Sequence, residues 1–153
     1  MQFHDACKVY SAAVSGLYLA EARRRGYGYK AVAVAPQTYG ALRLHALVSR
    51  WTLCPFPVWK GVSDRTVFTS PDINHMFRYL HDHEHVDQRL TLSVEDERKL
   101  GEAWSVRIHQ LTGSAHAGML AHIDTVGQTD YYAQHAAFPE DQREWAMRKY
   151  QGM

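Results

Sequence analysis

Residues 75–104 read HMFRYLHDHEHVDQRLTLSVEDERKLGEAW, and the phase of this stretch decides the fold. Side chains four apart on an α-helix lie one above the other, so His81 and His85 share a face, with Asp82 beside them at three before His85. Ile73, Phe77 and His81 are also spaced by four, with Leu80 between the last two, so the two histidines continue an apolar stripe. Ser70-Pro71-Asp72 supplies a cap, a first-turn proline and a first-turn acid, which predicts a helix start and sets that phase. Residues 87–92 then read as a turn. Ser93, with Asp96 three residues on, predicts the cap of a second helix whose apolar positions are Leu100, Trp104, Ile108 and Leu111. Glu97 precedes Gly101 and Trp104 by four and seven and so falls on the inward line of that helix. A buried carboxylate loses its water and needs a partner, and the nearest candidates in sequence are the two histidines. His75 and His83 fall off the His81–His85 line and are expected at the surface.

Working outward, the same 3.6-residue period recurs along most of the chain. Phe3, Cys7, Tyr10, Val14 and Leu17 predict one long helix over residues 3–25, closed by Arg23–Arg25 and Gly26, a basic last turn followed by glycine. Residues 27–35 read as a linker or short strand. Residues 37–53 predict a helix with Ala41, Leu44, Val48 and Trp51 facing inward and His45 beside them. Two prolines and a glycine then interrupt the chain, and Val58–Lys60 with Thr66–Phe68 predict a short β-hairpin, an aromatic-rich lid on the core. Residues 115–137 predict a further helix carrying Met119, His122, Val126 and Ala133 inward. Pro139 opens a last one through Trp145 and Tyr150. The fold class expected is all-α, a compact bundle of about five helices with a small β-hairpin insertion, in one domain over residues 1–153.

Composition narrows the function classes. Hydrophobic residues make up 46% and charged residues 22% of the 153, the balance of an ordinary globular chain. Seventeen basic against 16 acidic residues leave no broad electrostatic footprint for nucleic acid, so none is expected as a partner; a small-molecule substrate is compatible with the chain. Cys7 and Cys54 are isolated, form no CxxC pair, and read as small core residues. No apolar run approaches the ~20 residues that span a bilayer. Ser11–Ala22 has a faint leader-like character, but Asp5 precedes it and its pattern is amphipathic; a cytoplasmic protein is the expectation.

The pattern His81-Asp82-x-x-His85, eleven residues, then Glu97, resembles the metal-binding signature of the coenzyme Q biosynthesis protein 4 family. The resemblance covers residues 81–97. It implies a divalent cation, zinc or iron-type, held by His81, Asp82, His85 and Glu97 in an all-helical protein, beside a hydrophobic cavity for a polyprenylated ring. It implies a part in removing the ring carboxyl during quinone assembly. From the residues alone, two imidazoles and two carboxylates are a mixed nitrogen and oxygen set suited to zinc, iron(II) or manganese. His122 is a candidate fifth ligand or a partner that orients a ligand, the alternative being a core histidine bonded to backbone. Two other readings compete. His45, His81, Asp82 and Asp124 occur in the order used by histidine-aspartate metal-dependent phosphohydrolases, and a non-enzymatic protein could use the metal to hold a ligand or partner. Hydrolase elbows of the GxSxG type and glycine-rich phosphate loops are absent.

Overall fold

The structure, a computed structural model, describes residues 1–152. Helix accounts for 69% of the chain, so the all-α expectation holds. In order, the elements are α1 (Phe3–Arg25), β1 (Tyr29–Val32), α2 (Tyr39–Thr52), β2 (Phe56–Trp59), α3 (Pro71–Gln88), α4 (Val94–Thr112), α5 (Ala115–His122), α6 (Gln128–His135) and α7 (Gln142–Gln151). A π-helical turn, Ile123–Gly127, joins α5 to α6 without a break, so 115–135 is one rod with a bulge.

Local chemistry explains the ends. Ser70, Ser93, Ser114 and Asp141 each accept a hydrogen bond from the backbone N–H three residues on, satisfying a donor that the first turn leaves free. Gly26 ends α1 at φ 82, in the left-handed region that glycine enters without steric cost. α1 lies at the centre of the molecule and packs against α3, α4, α5 and α7. Ala6, Cys7, Tyr10 and Val14 are its completely buried side chains, close to the stripe its spacing predicts.

Three expectations are corrected. The small sheet is a parallel pair, β1 with β2, Tyr29 opposite Phe56 and Val32 opposite Trp59. Parallel strands need a crossover, and α2 is that crossover, so the unit is strand–helix–strand in place of a hairpin. Thr66, Val67 and Phe68 are buried in a loop, and with Phe56 and Val58 they belong to the core, which leaves the segment no lid-like freedom. The inward face of α2 is Leu42, Ala46 and Ser49, while Leu44, Val48 and Trp51 face solvent. Finally, Cys54 is exposed, because it follows the left-handed cap Leu53 on the way into β2, whereas Cys7 is buried as expected.

Candidate metal centre

α3 and α4 are joined by the turn at 89–93, and that turn sets the register of the site. Arg89 ends α3 at φ 56, and the backbone N–H and side-chain hydroxyl of Thr91 both donate to Asp96 Oδ2 at 2.8 and 2.6 Å. Ser93 Oγ accepts from the Asp96 N–H. Together these bonds fix the first turn of α4 and hold Glu97 against the end of α3.

There His81, His85 and Glu97 bring one donor atom each to within 4.8 Å of one another. His81 Nε2 lies 3.0 Å from Glu97 Oε2, His85 Nε2 lies 3.2 Å from Glu97 Oε1, and the two Nε2 atoms are 3.2 Å apart. The His85 side chain has no exposed surface, whereas those of His81 and Glu97 keep 21% and 24%, so the cluster retains a solvent-facing part. Phe77 stacks on the His81 ring at 5.5 Å and meets Trp104 edge-on at 5.7 Å, which gives the cluster an aromatic floor.

Tautomer chemistry shows why this geometry suits a cation. His85 Nδ1 lies 3.1 Å from the carbonyl of Leu90, which can only accept, so Nδ1 carries the proton. The Leu90 N–H donates in turn to the His85 carbonyl, and the turn thereby locks the ring. In the neutral imidazole Nε2 is then a bare lone pair, pointed at another imidazole nitrogen and at a carboxylate oxygen. Lone pairs this close repel unless a proton or a cation sits among them. A divalent ion would satisfy all three donors at once, and the backbone carbonyl would supply the outer hydrogen bond that metal-bound histidines commonly make.

The electrostatics around the cluster lean the same way. Burial disfavours charge on His81, but the hydrogen bond and charge of Glu97, helped by Asp82 and Glu84, outweigh it and raise its pKa to about 9. Burial also acts against the Glu97 carboxylate, yet the two histidines hold it well below the usual range. Asp82 is pushed up to about 6 by burial, opposed by His81 and His85. Asp124 is pushed up to about 7 by burial, opposed by the Tyr10 hydrogen bond and by the charges of His81 and Arg78. Burial thus drives Asp82 and Asp124 toward protonation, while Glu97 stays ionised between the two imidazoles.

The converging group is His81, His85 and Glu97; Asp82 and His122 stand outside it among the described residues. Asp82 is half-buried beside the two imidazoles and feels their charge. His122 is half-buried at the last position of α5. Nor does His45 join the group: it is exposed on α2, so the order His45, His81, Asp82, Asp124 is not a spatial cluster. Asp124 lies on the π-turn, where its Oδ1 accepts from Gln128 Nε2 at 2.9 Å and its Oδ2 from the Tyr10 hydroxyl at 3.3 Å. Tyr10 in turn accepts from Trp104 Nε1 at 2.8 Å.

His75 and His83, expected at the surface, are buried. His83 Nδ1 donates to the Tyr79 carbonyl at 2.8 Å and Nε2 accepts from the Tyr27 hydroxyl at 3.1 Å, so it is a satisfied core histidine. Burial depresses its pKa to about 4. His75 Nε2 lies 3.1 Å from Ser63 Oγ, and its Nδ1 is buried without a partner.

No family model, curated protein or solved structure matches this chain.

Proposed function

We propose that the protein is a divalent-metal protein whose centre, His81, His85 and Glu97, serves a chemical reaction on a small molecule. One observation carries the reading. Three donor atoms from two helices converge with His85 Nδ1 already committed to a backbone carbonyl, which leaves its Nε2 lone pair aimed into the cluster. Three protein ligands with one solvent-facing side match the count of catalytic zinc sites, whereas structural sites are usually closed by four Cys or His ligands. A bound ion would polarise a carbonyl or carboxyl oxygen or make water a nucleophile near neutral pH. Asp82, beside the imidazoles and raised to about 6, is the side chain best placed to complete the ligand set or to hold a proton there.

The finer reading is a lyase step that removes the carboxyl of a prenylated aromatic ring, and it rests on the likeness of residues 81–97 to the coenzyme Q biosynthesis protein 4 signature. Zinc, iron(II) and manganese all suit two nitrogens and one or two carboxylate oxygens.

Elemental analysis of the purified chain tests the centre. About one divalent ion per chain is expected, lost in His81→Ala, His85→Ala and Glu97→Ala and weakened about 10- to 100-fold in Asp82→Asn. Full retention by Glu97→Ala would overturn the site. Incubating the loaded protein with a prenylated hydroxybenzoate and following loss of carbon dioxide by mass spectrometry then tests the lyase step, with Glu97→Ala as the blank.

A further inference from the structure

Helix α2 carries its apolar stripe on the outside. At about 100° per residue, Leu47, Trp51, Leu44 and Val48 fall in that angular order within an arc of about 100°. They are 52%, 80%, 60% and 45% exposed. The helix packs on the molecule through the opposite and slimmer face, Leu42, Ala46 and Ser49. Arg43 and Arg50, seven apart and both exposed, run along one border of the stripe. Leu53, which ends the helix in the left-handed region, is itself 60% exposed. Scattered exposed hydrophobes are normal, but a stripe of four on one helix, crowned by a tryptophan, marks a surface that something covers.

Charge indicates what covers it. Between Glu21 and Asp64 the chain has no acidic residue, while Arg23–Arg25, Lys30, Arg43, Arg50 and Lys60 all fall there. Arg24 and Arg25 are neutralised by Glu21 and Asp87. Among the described residues, Lys30, Arg43, Arg50 and Lys60 form no ion pair. A cleft of about 420 Å³ opens beside the stripe, with Arg43, Arg50, Leu44 and Leu47 on one wall and Val86 and the Arg25–Asp87 pair on the other. Basic side chains bordering an exposed Leu, Val and Trp stripe are the pattern of a helix that lies in a bilayer surface, apolar face in the acyl boundary, cations at the phosphates and tryptophan at the interface. Nucleic acid would match the arginines and leave the leucines and valine in water. No helix among the described residues is long and apolar enough to cross a membrane, so the contact is of the surface kind.

We propose that α2 docks this protein, through Leu44, Leu47, Val48 and Trp51 with Arg43 and Arg50, onto the surface of a bilayer containing anionic lipid. The proposal stands independently of the metal centre.

The test is co-sedimentation of the full chain with vesicles of phosphatidylcholine alone and of phosphatidylcholine with about one-third phosphatidylglycerol. Binding to the anionic vesicles is expected at least about tenfold tighter, and to weaken as salt rises from about 50 to about 500 mM. A blue shift of tryptophan emission should accompany it and be lost in Trp51→Phe. Leu47→Ser/Val48→Ser changes exposed side chains, so its far-UV spectrum and melting should match the parent while vesicle affinity falls about tenfold or more. Arg43→Gln/Arg50→Gln should lose most of the preference for anionic lipid. The proposal is overturned if the parent stays in the supernatant at low salt, or if binding is indifferent to both double variants. It is overturned equally by a dimer in light scattering that Leu47→Ser/Val48→Ser dissolves, since the stripe then faces a second copy. Salt-sensitive binding of a single-stranded oligonucleotide that survives loss of the stripe, with no vesicle binding, would assign the arginines to nucleic acid instead.

Discussion

His81 holds a proton up to about pH 9 because Glu97 lies 3.0 Å from its Nε2. That same nitrogen is the one a metal at the proposed centre would take, so binding would have to expel the proton. Between pH 8 and 6 the apparent affinity for zinc should therefore fall about tenfold per unit, and more steeply near pH 6, where Asp82 begins to protonate. Titration calorimetry in two buffers of different ionisation enthalpy measures this: about one proton released per zinc at pH 7 is expected, and none released would contradict the assignment. His83, on the same helix, works in the opposite sense. Its pKa in the fold, about 4, lies below the ordinary 6.5, so the unfolded chain takes up a proton first as pH falls. Its contribution to stability is complete above about 6.5 and is lost progressively down to about 4, by roughly 3 kcal/mol in all. Urea unfolding followed over that range should show a slope that flattens in His83→Gln. His81, His85 and Glu97 were legible in the sequence because a spacing of four and two serine caps set the phases of both helices. His75 and His83 were not, since a stripe implies one buried face, whereas α3 is covered by α1 and α2 and by both strands.

Elements were legible wherever the signal was local. Capping serines, first-turn acids and Gly26 mark helix ends within a few residues, and α1, α3 and α4 begin and end where those residues place them. The partner of β1 lies beyond an entire helix, Tyr29 against Phe56, and no neighbouring residue announces it. α2 misleads by periodicity alone, since its larger apolar residues form the stripe that faces out. The π-turn at Ile123–Gly127 adds a residue to the helical repeat, so a stripe counted from Met119 arrives at Ala133, which is exposed. Three glycines test this packing. A Cβ on Gly118 would meet His109 Cβ at 2.8 Å and the Ser105 carbonyl at 3.1 Å, and one on Gly101 would meet Thr125 Oγ1 at 2.8 Å and Val126 Cγ2 at 2.9 Å. Both positions let α4 approach the rod formed by α5, the π-turn and α6. Gly118→Ala, which meets backbone, should cost about 1–3 kcal/mol by overpacking, and Gly101→Ala about as much unless Thr125 rotates away. Gly16 meets nothing within 4 Å, so Gly16→Ala should stabilise α1 by about 0.5–1 kcal/mol. Denaturant unfolding of the three variants reads both signs at once, and a destabilised Gly16→Ala would mean that α1 has a neighbour at that position.

At the scale of the molecule, two kinds of cohesion coexist. The core around α1 is made of completely buried apolar groups, Ala6, Cys7, Tyr10 and Val14 with Phe56, Val58, Ile108 and Leu120, and depends on no ion. α3 and α4 are linked besides by polar contacts between side chains, Arg107 to Glu84 at 2.6 Å and the two histidines to Glu97. A metal at the proposed centre would join two helices that already have their core, so it should tighten the fold without creating it. With free zinc at about a hundred times its dissociation constant, linkage adds about 2.7 kcal/mol, which for a chain of this size raises Tm by roughly 5–10 °C. Chelation should return the melting point to the metal-free value and leave the far-UV helix signal intact, and Glu97→Ala should show no zinc-dependent shift at all. Collapse of the helix signal on chelation would mean that folding itself requires the ion, as it does in domains too small to bury a core. The solvent-facing side of the cluster would then have to be explained without catalysis. Retained helix with a reversible, Glu97-dependent shift is the behaviour expected of a centre built onto a finished scaffold, where a ligand can be exchanged while the fold stays closed.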